Sequence, residues 1–482
     1  MYKYLLTTLF FWLALISFSP AQQLVIYPSA GALPASTDFI VKVRTPGHPW
    51  KDLPVFQVRV ADGTTGKLSP RMTSLAYFDF SGAVEIAVTS AKGPFSSARI
   101  RPLSYGIRPA VTGSTLRFLL SQPRNLSIEL DGDIFHNLQL FAGPVETGVT
   151  DTNTLYYGPG IHTIGTIRLA SGQRVYLAGG ALVEGRFVID HQENIHISGR
   201  GILYQPADSL LKDIPRHDAI MIDNSSHISV EGIIVIPNGY TVLMGESRHI
   251  QLRNIKSLSA GGNNDGIDVF CSQDVLVDGV FMRNSDDCIA IYGHRWNYYG
   301  NVSQVTVSNS TLWADIAHPI LVGTHGDPQH PDTLEELHFV NIDILDHREN
   351  QLDYQGCMSL NAGDSNLIRN VRFQDIRVED FRKGQLVNLR IMYNRKYNMA
   401  PGNRIENVLF KDIAYTGSHA GMSVIAGYDD AHPVRNITFE NLSINGRVLS
   451  DTMAGKPGWY KTSDMAGFFV GEHVDNVQFK NN

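Results

Sequence analysis

A six-residue phrase, apolar and polar positions in alternation and then Asn, Asp or Gly, recurs along the C-terminal two-thirds of the chain. It reads NIHISG at Asn194, HISVEG at His227, HIQLRN at His249, DVLVDG at Asp274 and QVTVSN at Gln304, then ELHFVN at Glu336, NVRFQD at Asn370, NVLFKD at Asn407, NITFEN at Asn436 and NVQFKN at Asn476. Alternation with period two marks a strand, and the closing Asn, Asp or Gly marks a turn. Copies start 22 to 40 residues apart, the length of one coil of a β-solenoid with loops of varying size. A second strand family lies between the copies: DGIDVF at Asp265, DDCIAIYG at Asp286, HPILVGTHG at His318, GCMSLNAG at Gly356, QLVNLRIM at Gln385 and GMSVIAG at Gly421. Each coil therefore carries at least two strands stacked in parallel, about 4.8 Å from coil to coil. Inward Val, Ile, Leu and Phe fill the core and outward positions are free for chemistry. A leucine-rich repeat is the rival architecture, but its Leu spacing is absent and the period wanders.

Residues from about Gln22 to Val145 differ: FIVKVR, VFQVRVA, AVEIAVTS, TLRFLLS and LSIELDG alternate without the turn phrase and predict an antiparallel β-sandwich. Ahead of them, MYKYLLTTLFFWLALISFSPAQQ has the basic, apolar and small-residue order of a secretory signal cleaved after Ala21. Its apolar run is shorter than the roughly 20 residues of a membrane anchor, and no Cys follows the cleavage point to take a lipid. The predicted organisation is an all-β chain with a signal peptide over 1–21, a sandwich over 22–148 and a solenoid over 149–482, packed against each other without a low-complexity linker. The destination is secretion or the periplasm. Gly 43 with few charges suits a turn-rich β protein. Cys271, Cys288 and Cys357 are too few for a disulfide framework and read as buried thiols. A net charge of -7 offers no basic field to nucleic acid or an anionic membrane.

If DGIDVF and DDCIAIYG occupy the same side of successive coils, Asp265 meets the Asp286/Asp287 pair across one rung. Close carboxylates repel, which leaves one protonated beside ionised neighbours. That is the equipment of glycoside hydrolysis: an acid for the leaving oxygen and a base or nucleophile at the anomeric carbon. Asn-Asp-Gly and Asp-Asp are also ordinary turn sequences, and three acidic groups suit the calcium site of a polysaccharide lyase. Asp268, Asp274 and Asp278 read as turn or solvent residues.

At these residues the chain resembles the polygalacturonase family, glycoside hydrolase family twenty-eight, with its right-handed parallel β-helix. Asn263–Asp265 (NND) is similar to that family's Asn-Thr-Asp motif, DDCIAI to its Asp-Asp pair, and AHPILVG around His318 to its Gly-His-Gly strand. GRGILY at Gly199 is like its first coils. The resemblance implies Asp286 as general acid, Asp265 and Asp287 holding the attacking water, His318 orienting or tuning the cluster, and inversion at the anomeric carbon. The family's Arg-Ile-Lys motif should fall where this chain reads GCMSLNAG. Asn361 occupies that slot, and Arg390 one coil on, or Arg348 in the preceding loop, would have to serve instead. The sandwich, with LSIELDG and LQLFAGP, resembles the dextranase and isopullulanase family, glycoside hydrolase family forty-nine, which implies a neutral α-glucan.

The remaining candidates lie in IYGHRWNYYGN, where Tyr292, His294, Arg295, Trp296, Tyr298 and Tyr299 follow the second catalytic strand. Aromatic rings suit sugar faces, and His or Arg suits hydroxyls, although packing beneath the loop accounts for them equally. His294, Arg295, Trp296, His325, Asn361, Arg390 and Asn263 are the predicted substrate-binding residues. Trp313 packs in the coil. The spacing of His294, His318 and His325 fits no zinc motif, and LAGGALVEG lacks the following helix a dinucleotide site needs, so no metal and no cofactor are expected. The expected partner is a polysaccharide or oligosaccharide substrate. A lyase on the same solenoid and a non-catalytic carbohydrate-binding solenoid are the rival functions.

Overall fold

The computed structural model describes residues 22–29, 31, 33–146, 153–206, 217–418 and 420–481. The expected leader over 1–21 and the expected 148/149 boundary both lie outside the described residues. The ten copies of the repeated phrase do stack in parallel and in register. A single inward column runs Ile197, Val230, Leu252, Val277, Val307, Phe339, Phe373, Phe410, Phe439 and Phe479. The five phenylalanines stack face to face, with ring centroids 4.8, 4.9, 4.7 and 4.9 Å apart along the series. Stacking of like residues on successive coils lets one side-chain shape fill every layer of the core.

The turn residue closing each phrase from Gly199 to Asn441 has a positive φ, the left-handed conformation that Gly, Asn and Asp tolerate. The residue opening each phrase is left-handed as well, and there the positions include His227, His249, Gln304 and Glu336. Later coils offset that cost with a side-chain ladder. Asn370, Asn407, Asn436 and Asn476 pass amide hydrogen bonds from coil to coil at 3.2, 3.0 and 3.0 Å.

Each coil has three strand lines. The second family forms one continuous line, in which Ile267, Ile289, Ile320, Met358 and Val387 are register partners. The third line comprises Ile202–Tyr204, Ile234–Ile236, Lys256–Leu258 and Phe281–Asn284. It then fuses with the first line into long bent strands such as Val302–Ala314 and Thr333–Asp346. This line faces the sandwich. Tyr204, Ile236, Leu258, Phe281, Trp313 and Leu345 bury against Phe56, Val58, Leu75, Tyr77 and Phe141. Trp313 thus packs on the sandwich rather than inside the coil, between the guanidinium groups of Arg101 and Arg283 at 4.9 and 4.0 Å.

The sandwich pairs a sheet containing Ser69–Ser81, Leu138–Pro144 and Arg124–Leu130 with one containing Phe39–Arg44, Val84–Ser90 and Thr115–Leu120. Its pairings are antiparallel except that of Leu138–Pro144 with Ser69–Ser81, which is parallel and departs from the antiparallel expectation. The interface is polar as well as apolar. Arg200 bonds Asp79 at 2.9 Å and Glu146 at 3.0 Å, Arg283 reaches Ile134 O and Asn137, and Arg101 reaches Glu379 at 2.7 Å. All three cysteines are free and buried. Among the described residues no helix is long and apolar enough to cross a membrane.

Candidate active site

Asp265, Asp287 and His318 each stand two residues before an outward-facing strand on three successive coils. Backbone bonds from Gly266 N to Asp287 O at 2.7 Å and from Cys288 N to His318 O at 2.8 Å fasten these corners together. Register, not sequence distance, therefore brings Asp265 to the Asp286/Asp287 pair.

His318 has no solvent-exposed surface, and its backbone N–H and ring Nδ1 meet Asp287 Oδ1 at 2.9 and 2.7 Å. Its Nε2 donates to the Tyr354 carbonyl oxygen, which can only accept. With both ring nitrogens directed at acceptors the imidazolium is the favoured form. Burial alone would lower its pKa, but the charge of Asp287, the hydrogen bond to it, Glu349 and the Tyr354 carbonyl raise it to about 8. Asp287 Oδ2 takes the Tyr292 hydroxyl at 3.4 Å. Both Asp287 oxygens are thus engaged as acceptors.

Asp286 differs from its neighbours. Asp265 and Asp287 are 8 % and 5 % exposed, whereas Asp286 is only partly buried and opens to solvent. Burial, and then the charge of Asp287, push its pKa up to about 8, against a lowering by His318 and the Asp287 N–H. A solvent-reaching carboxyl that keeps its proton at neutral pH sits beside one held in place by His318. Asp265 is likewise pushed well up, by burial and then by Asp268, Asp286 and Asp287, with Arg295 opposing.

Asp268 corrects the sequence reading. It is no turn or solvent residue but a strand position 1 % exposed, with neither carboxyl oxygen hydrogen-bonded among the described residues. Burial, followed by Asp287 and Asp218, raises its pKa well above the ordinary range, and Arg295 opposes the rise. The signal was present in the alternation: with Ile267 and Val269 facing the core, Asp268 must face outward beside Asp265. Asp274 and Asp278 lie in the strand Gln273–Asp278 rather than in a turn, exposed and half-buried, and are bonded to His249 and to Ser308 and Asn309.

A depression of about 630 Å³ adjoins the cluster, lined by His217, Asp218, Asn238, Tyr240, Asn263 and Trp296 among others. Asn263 is exposed there, and Trp296, 40 % exposed, stacks near Tyr240 at 6.3 Å. Tyr240 was not anticipated; it ends the segment HISVEGIIVIPNGY without a motif of its own. Arg295 sits over Trp296 at 4.8 Å and within electrostatic reach of Asp265 and Asp268.

The other predicted residues are not on this depression. His294 bonds Tyr298 O at 2.7 Å and stacks on Tyr299 at 4.2 Å, so its hairpin occupies the ring. Tyr292 and Tyr298 pack with Phe270 beneath the loop. His325 is wedged edge-on against Tyr292 and Tyr397, and burial, then Arg295 and His294, lowers its pKa to about 3, leaving it neutral. Asn361 has no exposed surface and donates to Ser359 Oγ at 3.1 Å, which corrects its assignment as a substrate contact. Arg390 is the register partner of Asn361 on the next coil, half-buried, with its Nε unbonded among the described residues. Arg348 is committed to Thr64 O of the sandwich at 3.1 Å. Among the described residues no group of three or more His, Cys, Asp or Glu side chains is arranged to hold a metal ion.

Comparison with known proteins agrees with this geometry. Residues 183–457, more than half of the chain, match the profile described as "Glycosyl hydrolases family 28". "Endopolygalacturonase B" of Aspergillus niger is 21% identical over 239 residues, 49% of this chain and 59% of that one. "Exopolygalacturonase A" of the same species is 23% identical over 286 residues, 52% and 62% of the two chains. The chain thus spans less than two thirds of the length of these curated relatives. The structure of "Dex49A from Penicillium minioluteum" superposes with a TM-score of 0.55 at 13% identity, covering 93% of this chain and 96% of that one. That likeness extends the shared fold across the sandwich as well as the solenoid.

Proposed function

This chain belongs to glycosyl hydrolases family 28, and from that premise we propose that it cleaves an α-linked polysaccharide of the pectic class by acid and base catalysis, with Asp286 as the general acid. The observation that supports this reading is the pairing of Asp286, open to solvent and protonated up to about pH 8, with Asp287, fixed in place by two hydrogen bonds from His318. Asp286 gives its proton to the glycosidic oxygen as the bond breaks. Asp287 and Asp265 hold the water that attacks the anomeric carbon, and Asp287 takes its proton, with inversion as the family resemblance implies. His318 is a positioning residue that keeps Asp287 aimed. Arg295 and Arg390 are the cations available to a substrate carboxylate, which a guanidinium grips in a bidentate fashion. The N-terminal segment directs the protein out of the cytoplasm, and N-terminal sequencing of the mature protein tests the cut after Ala21.

A neutral α-glucan is the second reading. It is favoured by the depression beside the aspartates, which has no Lys or Arg among its described lining residues. Reducing-end release on polygalacturonan and dextran side by side, with Asp286→Asn as control, separates the two. Release by the Asp286→Asn protein at the native rate would sink the catalytic assignment. A lyase would instead yield unsaturated, ultraviolet-absorbing products and stop on calcium chelation; hydrolysis does neither.

A further inference from the structure

A second cavity lies where the sandwich meets the solenoid. It measures about 430 Å³ and is lined by Arg59 and Met72 of the sandwich, Tyr204 and Pro237 of the solenoid, and Asn238 and Asn264. That is room for one or two sugar rings, within the usual range of ligand sites. Asn238 and Asn264 also line the depression beside the catalytic aspartates, so the two hollows share a wall. Asn264 immediately precedes Asp265. The two hollows therefore lie side by side, close enough for neighbouring residues of one glycan.

The two hollows differ in charge. Among their described lining residues the depression carries Asp218 and no Lys or Arg, whereas the interdomain cavity carries Arg59 and no Asp or Glu. Arg59 is exposed and makes no hydrogen bond or ion pair with any described residue, although most arginines in this interface are committed to carboxylates. Its charge is felt at the Tyr204 hydroxyl, where it opposes the rise that burial causes. Met72, Pro237 and the Tyr204 ring supply the apolar surface against which a sugar face packs.

We propose that this interdomain cavity is an accessory subsite for a uronic-acid residue of the polysaccharide substrate, its carboxylate paired with Arg59 and its ring against Tyr204. The subsite rests on the polysaccharide reading above but requires no turnover. It also gives the sandwich a direct part in choosing the substrate, because Arg59 and Met72 both belong to it.

The test is native affinity electrophoresis of the full chain carrying Asp286→Asn, so that the polymer in the gel stays intact, with polygalacturonate or dextran as the probe. Retardation by polygalacturonate and not by dextran is expected, weakened about tenfold by adding Arg59→Ala, as loss of one charge-assisted contact predicts. Added salt should weaken it as well. Arg168→Ala, which removes another exposed arginine, should leave retardation unchanged and so exclude a general charge effect. Equal retardation with and without Arg59, an equal loss with Arg168→Ala, or no preference for the acidic polymer would each overturn the subsite. Arg59-dependent binding by a native chain that releases no reducing ends would instead leave the subsite standing and remove only the hydrolase reading.

Discussion

Replacing Asp286 by Asn should make the protein at once less active and, at neutral to alkaline pH, more stable. The folded state holds the Asp286 proton to about pH 8, whereas the unfolded chain releases it near the ordinary value of 3.8. Between those limits the unfolded state binds fewer protons, so native stability falls as pH rises. About four pH units at 1.36 kcal/mol each set an upper limit of about 6 kcal/mol. Because the carboxyl is partly open to water, screening brings the expected cost to about 2–3 kcal/mol. Asn carries no such charge. Urea unfolding of the two proteins should coincide near pH 4 and diverge steadily up to about pH 8, with the variant the more stable. Over the same range turnover should fall by about 10²–10⁴-fold, the contribution of a positioned general acid. The native rate should itself decline above about pH 8, as the acid loses its proton. A stability difference that is flat with pH, or a variant that keeps its turnover, would refute the reasoning.

His318→Gln removes a charge whose folded pKa, about 8, exceeds the ordinary 6.5. The stabilisation is complete below pH 6.5 and lost as pH rises through about 8, so the variant should lose about 2 kcal/mol more at pH 6 than at pH 9; identical losses in urea titrations at both pH values would contradict the ion pair. Phe373→Ala opens a hole in the middle of the aromatic column and should cost about 3–5 kcal/mol by denaturant unfolding. A smaller loss would mean that the neighbouring coils collapse into the gap. Arg283→Ala strips Asp315 of a buried partner and Trp313 of its covering guanidinium, and should cost about 3–5 kcal/mol. An unchanged melting temperature would show that Arg382, the other partner of Asp315, suffices.

Strand positions and coil register were legible because the repeat is written in hydrophobic alternation, and alternation is what the core selects. The same register made Asp265, Asp286 and Asp287 recognisable as neighbours. Asp268 was missed because an isolated Asp two residues after an Asn-Asp-Gly turn looks like part of the turn; only its parity on the strand reveals that it faces the cluster. Asn361 and His325 failed for the opposite reason. An outward-facing position is open to substrate only if nothing covers it, and Tyr397, which packs against His325, comes from a segment with no periodic signal. The third strand line was also hidden, since its three-residue strands are too short to show a period. The left-handed conformation of His227, Gln304 and Glu336 could not have been read from residue type, because the coil geometry imposes it against local preference.

The contacts from the sandwich reach coils far apart along the solenoid: Tyr77 to Gly180, Asp79 to Arg200, Ile134 to Arg283, Thr64 to Arg348 and Arg101 to Glu379. A bare solenoid couples only adjacent coils and can fray inward from either end. Here the first domain works as a splint along one side, so opening any coil between Gly180 and Glu379 strains attachments to the others. Amide hydrogen exchange should therefore show that stretch releasing its protons as one cooperative block, while strands from Arg404 onward, which lack the splint, exchange earlier and more gradually. The aspartate cluster falls near the middle of the braced stretch. Its mutual repulsion is a local defect in the stack, and the bracing lets the molecule keep that defect without coming undone around it.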